Sequence, residues 1–170
     1  WVGYKTSGLS TFDVPAVLSD PITLEEVPGS TAFDVFGLAI HGDSAWVLAS
    51  DGLHRFRTSR RTLVTTLQIA APPALFSVHP VDVGQDGTVY VGTTGGLRVH
   101  QRGVPAVDYN ADNSPLADNE VRSVYVDAAG VVWIATAGGI NRFDPGYVPP
   151  PPPLLPSLKV TLYPNPSWLT

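Results

Sequence analysis

The sequence predicts an all-β fold of β-propeller blades, four-stranded antiparallel units in an incomplete ring, and three observations carry that expectation. The first is an internal repeat. The stretch from Trp133 to Phe143 (WIATAGGINRF) returns as Tyr90 to His100 (YVGTTGGLRVH) and as Trp46 to Phe56 (WVLASDGLHRF). One residue longer, it opens the chain as Trp1 to Phe12 (WVGYKTSGLSTF). The landmark glycines Gly8, Gly52, Gly96 and Gly139 are spaced by 44, 44 and 43 residues, and an aromatic (Trp1, Trp46, Tyr90, Trp133) heads every copy. The second observation is that each unit reads as short strands between Gly-containing turns. The third is arithmetic: four strands of about six residues and four connections of about five fill a unit of this length. Propeller blades repeat at about that period, leucine-rich repeats are too short, and no 3.6-residue apolar periodicity supports helical repeats. A β-sandwich with coincidental internal similarity is the alternative.

The elements follow in order. In the last unit Val121 to Val126 alternates and is β-branched, and Asp127 to Gly130 is a turn with Gly where positive φ is easiest. Val131 to Thr136 is a near-continuous apolar run, as in a strand covered on both faces, and Ile140 to Phe143 follows a Gly-rich turn. The preceding unit repeats this with Phe76 to Val83, a turn at Gly84 to Gly87, Thr88 to Thr93, and Leu97 to His100. Weaker fourth strands are expected at Pro21 to Val27, Leu63 to Ile69 and Pro105 to Tyr109. The heading aromatics are expected to form inter-blade core, each ring burying about 150–250 Å².

The last unit carries Asn113-Ser114-Pro115-Leu116-Ala117-Asp118-Asn119-Glu120-Val121, then Asp127, Gly130, Trp133-Ile134-Ala135-Thr136, Gly138-Gly139-Ile140 and Arg142-Phe143-Asp144. This pattern resembles the two-component-regulator propeller repeat of bacteria. The third unit departs from it with Tyr90 in place of Trp and Gly84 in place of the turn Asp. The second lacks Thr after its Trp strand and has a shorter turn, His41 to Ser44. The resemblance covers about residues 1–146 and implies a fold; its motif is a packing motif and names no ligand.

Of the 17 prolines, nine fall between Pro145 and Pro166, which places a boundary there. We expect propeller repeats over 1–148, with partial first and last blades, and a proline-rich linker over 149–157. Pro149 to Pro153 is an extended, semi-rigid polyproline II spacer on this reading, rather than an SH3- or WW-type ligand. Beyond it Leu158, Val160 and Leu162 alternate with polar residues, and Tyr163-Pro164-Asn165-Pro166 follows. That stretch resembles the first strand of the C-terminal Ig-like sorting domain of type IX secreted bacterial proteins, so 158–170 is expected to begin a β-sandwich.

The 170 residues contain neither Cys nor Met, and 10 Lys+Arg stand against 15 Asp+Glu for a net charge of −5. Disulfide, Cys-ligated zinc and iron–sulfur sites are thereby excluded. No basic footprint for nucleic acid exists, and no apolar run reaches the ~18 residues of a membrane span. The chain reads as an internal piece of a longer one. Residues 1–148 expressed alone are expected to expose apolar inter-blade faces, to be unstable or to self-associate, and to show no independent binding, their partners being the missing blades of the same chain.

The four histidines (His41, His54, His79, His100) show no metal-ligand spacing. His100 stands where Phe12, Phe56 and Phe143 stand and is expected to pack; His54 aligns with Ser10, Arg98 and Asn141 and is expected to be exposed. There is no G-x-S-x-G elbow and no P-loop. Gly92 to Gly96 reads as a hairpin, without the helix a phosphate site would use. Asp86 and Asp127 read as turn formers, because each turn offers one carboxylate and calcium needs six to eight oxygens. No catalytic residue, cofactor or metal is expected.

One surface remains as a candidate: the propeller face built by the loops after the second and fourth strands. It carries Lys5, Thr6, Ser7, Ser50, Asp51, Thr94, Asp118, Asn119, Glu120 and Ala137, and rigidly displayed loops are where binding resides. The expected function is a non-enzymatic propeller scaffold of an exported bacterial protein, secreted or at the cell surface, that binds an extracellular ligand, a glycan or a protein. The periplasmic sensor of a hybrid two-component histidine kinase is the alternative, and a propeller lyase or hydrolase a second one.

Overall fold

The computed structural model describes residues 1–4, 8–11, 25–30, 34–74 and 77–146. These residues form fourteen strands and no helix, in four antiparallel sheets. The first sheet comprises β1 (Val2–Tyr4), β2 (Gly8–Thr11) and β3 (Glu25–Glu26). The second comprises β4 (Val35–His41), β5 (Ser44–Ala49), β6 (Gly52–Arg57) and β7 (Thr62–Leu67). In the third are β8 (Val81–Val83), β9 (Val89–Thr93), β10 (Gly96–His100) and β11 (Val107–Tyr109), and in the fourth β12 (Val121–Val126), β13 (Val132–Thr136) and β14 (Gly139–Phe143). Each sheet is an up-and-down meander, the arrangement of a propeller blade. The proline-rich linker and the sandwich strand expected beyond residue 148 lie outside the described residues.

The repeated glycines have a positional reason. Gly96 opens β10 at φ +119°, a conformation costly for side-chain-bearing residues, and a Cβ there would run into the Tyr109 carbonyl of the fourth strand. Thr93 locks the same hairpin by donating its hydroxyl to the Gly96 carbonyl at 3.0 Å, and Thr136 does the same to Gly139 at 3.0 Å. The Gly92–Gly96 segment is thus a hairpin.

Hydrophobic clusters join consecutive sheets; among the described residues none joins the first to the last. Trp1 packs with Ala45, Val47 and Phe56 of the second sheet, its ring 6.2 Å from Phe56. Trp46 packs against a cluster that includes Val81, Val89 and Val91 of the third sheet. Tyr90 is buried with Val121, Val124 and Ile134 of the fourth. The heading aromatic of one sheet therefore lies under the next. Trp133 departs from the expected inter-blade core: it is 42% exposed on the fourth sheet, beside exposed Tyr125 and Ile140, because no described sheet follows. Its indole N–H instead donates to Asp127 Oδ2 at 3.0 Å.

Of the strand expected at 21–27, residues 21–24 lie outside the described residues and Glu25–Glu26 is strand. One expected strand is shorter: the run from 76 to 83 pairs in its own sheet only over Val81–Val83. Pro80 has no N–H to donate, and upstream the backbone of Val78 turns to Arg122 of the fourth sheet, N to O 3.1 Å. His54 is likewise corrected: it is 3% exposed, not a surface residue. Its Nε2 meets Asp51 Oδ1 at 2.7 Å and its Nδ1 meets Thr66 Oγ1 at 2.9 Å, so a buried imidazole ties the β5–β6 hairpin to β7.

Candidate functional site

Antiparallel meanders put alternate connections at opposite ends of the strands. The loops singled out in the sequence share one end, and Lys5, Thr6 and Ser7 lie outside the described residues. The others hold their own turns. Ser50 exchanges hydrogen bonds with Asp34, N to O 3.0 Å and Oγ from N 3.2 Å, and Asp51 is held by His54. Thr94 donates its N–H to the Pro72 carbonyl at 2.9 Å. Asp118 accepts the Glu120 N–H at 2.7 Å, Asn119 accepts the Ala111 N–H at 2.7 Å, and Glu120 accepts Arg122 Nε at 2.9 Å. The topology places these loops on one face, but their polar groups are occupied in shaping it.

A cavity of about 460 Å³ opens at the opposite end, between the second and third sheets. The β4–β5 hairpin supplies His41 and Ser44, the strands β5 and β6 supply Trp46 and Arg55, and the third sheet supplies Asp86 together with the segment His100–Val104. The hairpin register explains the centre of the site. Ala49 pairs with Gly52, so Trp46 falls directly across from Arg55. The guanidinium lies 5.8 Å from the centroid of the Trp46 ring, within cation–π reach, and its Nε donates to Ser44 Oγ at 3.0 Å.

Two further titratable groups of the site, Asp86 and His100, are held in place. Asp86 accepts Thr88 Oγ1 at 2.7 Å and the Thr88 N–H at 2.9 Å, and these bonds lower its carboxyl below the ordinary value. His100 is half-buried and accepts from Arg98 Nε at 3.3 Å; burial first, then the Arg98 charge, push its imidazole down. Arg98 itself makes a two-oxygen ion pair with Asp108, at 2.7 and 2.9 Å. Asp127, the other turn acid, accepts the N–H groups of Ala129 and Val131 at 2.9 and 3.0 Å. Among the described residues no three His, Asp or Glu side chains gather as a metal site would require.

The repeat alone does not reveal this cavity: its local pattern marks Trp46 as core, and it matches Arg55 with Arg142, which faces Trp133 across its own hairpin. The signal was nevertheless present: Gly52 sets the hairpin register, and that register predicts the Trp46–Arg55 pair.

These features define a set of propeller blades with a polar-and-aromatic cavity between two of them. Residues 115–138 match the family described as two component regulator propeller, the segment that includes Pro115-Leu116 and Trp133-Ile134. No curated protein sequence matches the chain. Among solved structures, the extracellular domain of the BT4673 hybrid two component system from B. thetaiotaomicron is similar with a TM-score of 0.61 at 19% identity, over 81% of this chain and 19% of that one. The extracellular domain of the BT3049 system of the same organism gives 0.53 at 22% identity, over 82% and 18%. PorZ, a bacterial surface component of the type-IX secretion system of Porphyromonas gingivalis, gives 0.60 at 20% identity, over 84% and 23%. At such identities the likeness is one of fold, and the chain spans about a fifth of the length of these proteins.

Proposed function

We propose that this chain belongs to a non-enzymatic, exported bacterial propeller scaffold, and that its ligand, a glycan or a protein segment, seats in the cavity between the second and third sheets. The observation that carries the reading is the cavity itself. Its volume falls within the usual range for ligand sites, and an aromatic ring and several polar side chains converge on it from two rigid sheets. Export is supported by the fold likeness to extracellular domains and to a surface component. On this reading 1–148 is the propeller unit, 149–157 a spacer and 158–170 the start of a sorting domain. The loop face with Ser50, Asp51, Thr94 and Asp118–Glu120 is the competing surface.

The experiment is a thermal-shift screen of the chain against oligosaccharides and peptides, repeated with Trp46→Ala and Asp51→Ala, with product formation followed in parallel. A stabilising ligand lost with Trp46→Ala supports the cavity. One lost only with Asp51→Ala moves the site to the loop face, and chemical turnover of a ligand overturns the non-enzymatic reading.

The fold likeness to extracellular domains of hybrid two component systems favours a second reading, the periplasmic sensor of such a system. Reading the gene beyond Thr170 separates the two. A membrane span of about 20 apolar residues followed by a kinase selects the sensor, and a completed sandwich selects secretion.

A further inference from the structure

Two arginines and a single carboxylate line the cavity. Among the described residues the terminal nitrogens of Arg55 make no hydrogen bond, since its one bond runs from Nε to Ser44. Arg102, exposed on the turn after β10, makes none either, and His41 and Gln101 add further donors at the rim. The one carboxylate present, Asp86, has both oxygens engaged by Thr88. Two permanent cations thus face one occupied anion, in a chain whose net charge is −5. Beside Arg55, whose guanidinium lies 5.8 Å from its ring centroid, Trp46 lines the apolar part of the cavity with Leu67 and Val89. Two cations beside a flat apolar ring are matched by a molecule with an acceptor group of full negative charge on a ring body.

We propose that this cavity binds a small ring-bearing carboxylate, its ring against Trp46 and its carboxylate between Arg55 and Arg102. The inference rests on the cavity being the ligand site and adds the chemical class. An aromatic acid and a sugar acid share this chemistry, and the probes below separate them.

The test is calorimetric titration of the whole chain with benzoate and glucuronate, each beside its neutral counterpart, benzamide and glucose. A charge-assisted contact predicts that at least one acid binds about tenfold more tightly than its counterpart. Arg102→Gln, on an exposed turn, and Arg55→Gln should each remove most of that preference, and Arg55→Lys should keep part of it. Urea unfolding of each variant checks that the fold is intact. Tighter binding of benzoate identifies an aromatic acid, and tighter binding of glucuronate a sugar acid. Equal binding of acid and neutral probe, an unchanged preference in Arg102→Gln, or no heat from either acid at about 10 mM overturns the proposal. A neutral ligand that is lost with Trp46→Ala in the thermal-shift screen would leave the binding function standing while this inference fails.

Discussion

The backbone of Gly92 lies so close to Val121 that a Cβ on it would sit 2.5 Å from Val121 Cγ1. Gly3 stands in the same relation to Val35, again at 2.5 Å. Each valine opens the first strand of the following sheet, and each marks a register shift, between Val35 and Gly37 and between Val121 and Ser123. In the second sheet the corresponding residue is Leu48, buried against Val81, and there the following first strand shortens to Val81–Val83.

Gly92→Ala should therefore destabilise the chain by about 1–3 kcal/mol through overpacking. Urea unfolding measures it. Adding Val121→Ala should recover part of the loss, because it removes the methyl groups that the new Cβ meets. An unchanged midpoint in Gly92→Ala would mean that the sheets separate without cost.

Asp82 joins the third and fourth sheets through one carboxylate: Oδ2 accepts the Val126 N–H at 2.7 Å, and Oδ1 accepts that of Val83 at 2.8 Å. Asp82→Ala should cost about 1–3 kcal/mol, the range for losing charged hydrogen bonds to partly buried amides. Hydrogen exchange gives a local check, since the Val126 amide should lose protection more than the Val91 amide at the centre of β9.

Tyr90 and Trp133 hold the same repeat position but differ in burial, at 4% and 42% exposed. Tyr90→Ala is expected to cost about 3–5 kcal/mol, as for other buried aromatics, and Trp133→Ala less than half of that. Equal losses would show that the Trp133 face is covered in solution.

The lowered His100 imidazole and the lowered Asp86 carboxyl set an acid profile. Between the folded and ordinary values the unfolded chain binds the extra proton, so stability is lost as the pH is lowered through each window. For His100 that window begins at 6.5 and runs downward; for Asp86 it begins at 3.8. His100→Phe, the residue found at the equivalent positions Phe56 and Phe143, should abolish the first loss and leave the second. Thermal melts at pH 7, 5 and 3 read both windows.

The repeat made the blades legible in advance, because glycine at a positive-φ hairpin and β-branched alternation are local requirements that a linear pattern carries. Thr93 and Gly96 could be placed on either side of a hairpin turn from their neighbours alone. The same pattern made Trp133 the equal of Tyr90, and it left His54 on the surface. Burial depends on which sheet lies alongside, and neither the following blade nor the Asp51 and Thr66 side chains that hold His54 belong to the local motif. The cavity was decided at the same level. His41, Arg55 and Arg102 come from three separate connections and strands of two sheets, so only the stacking of those sheets brings their charges to one place.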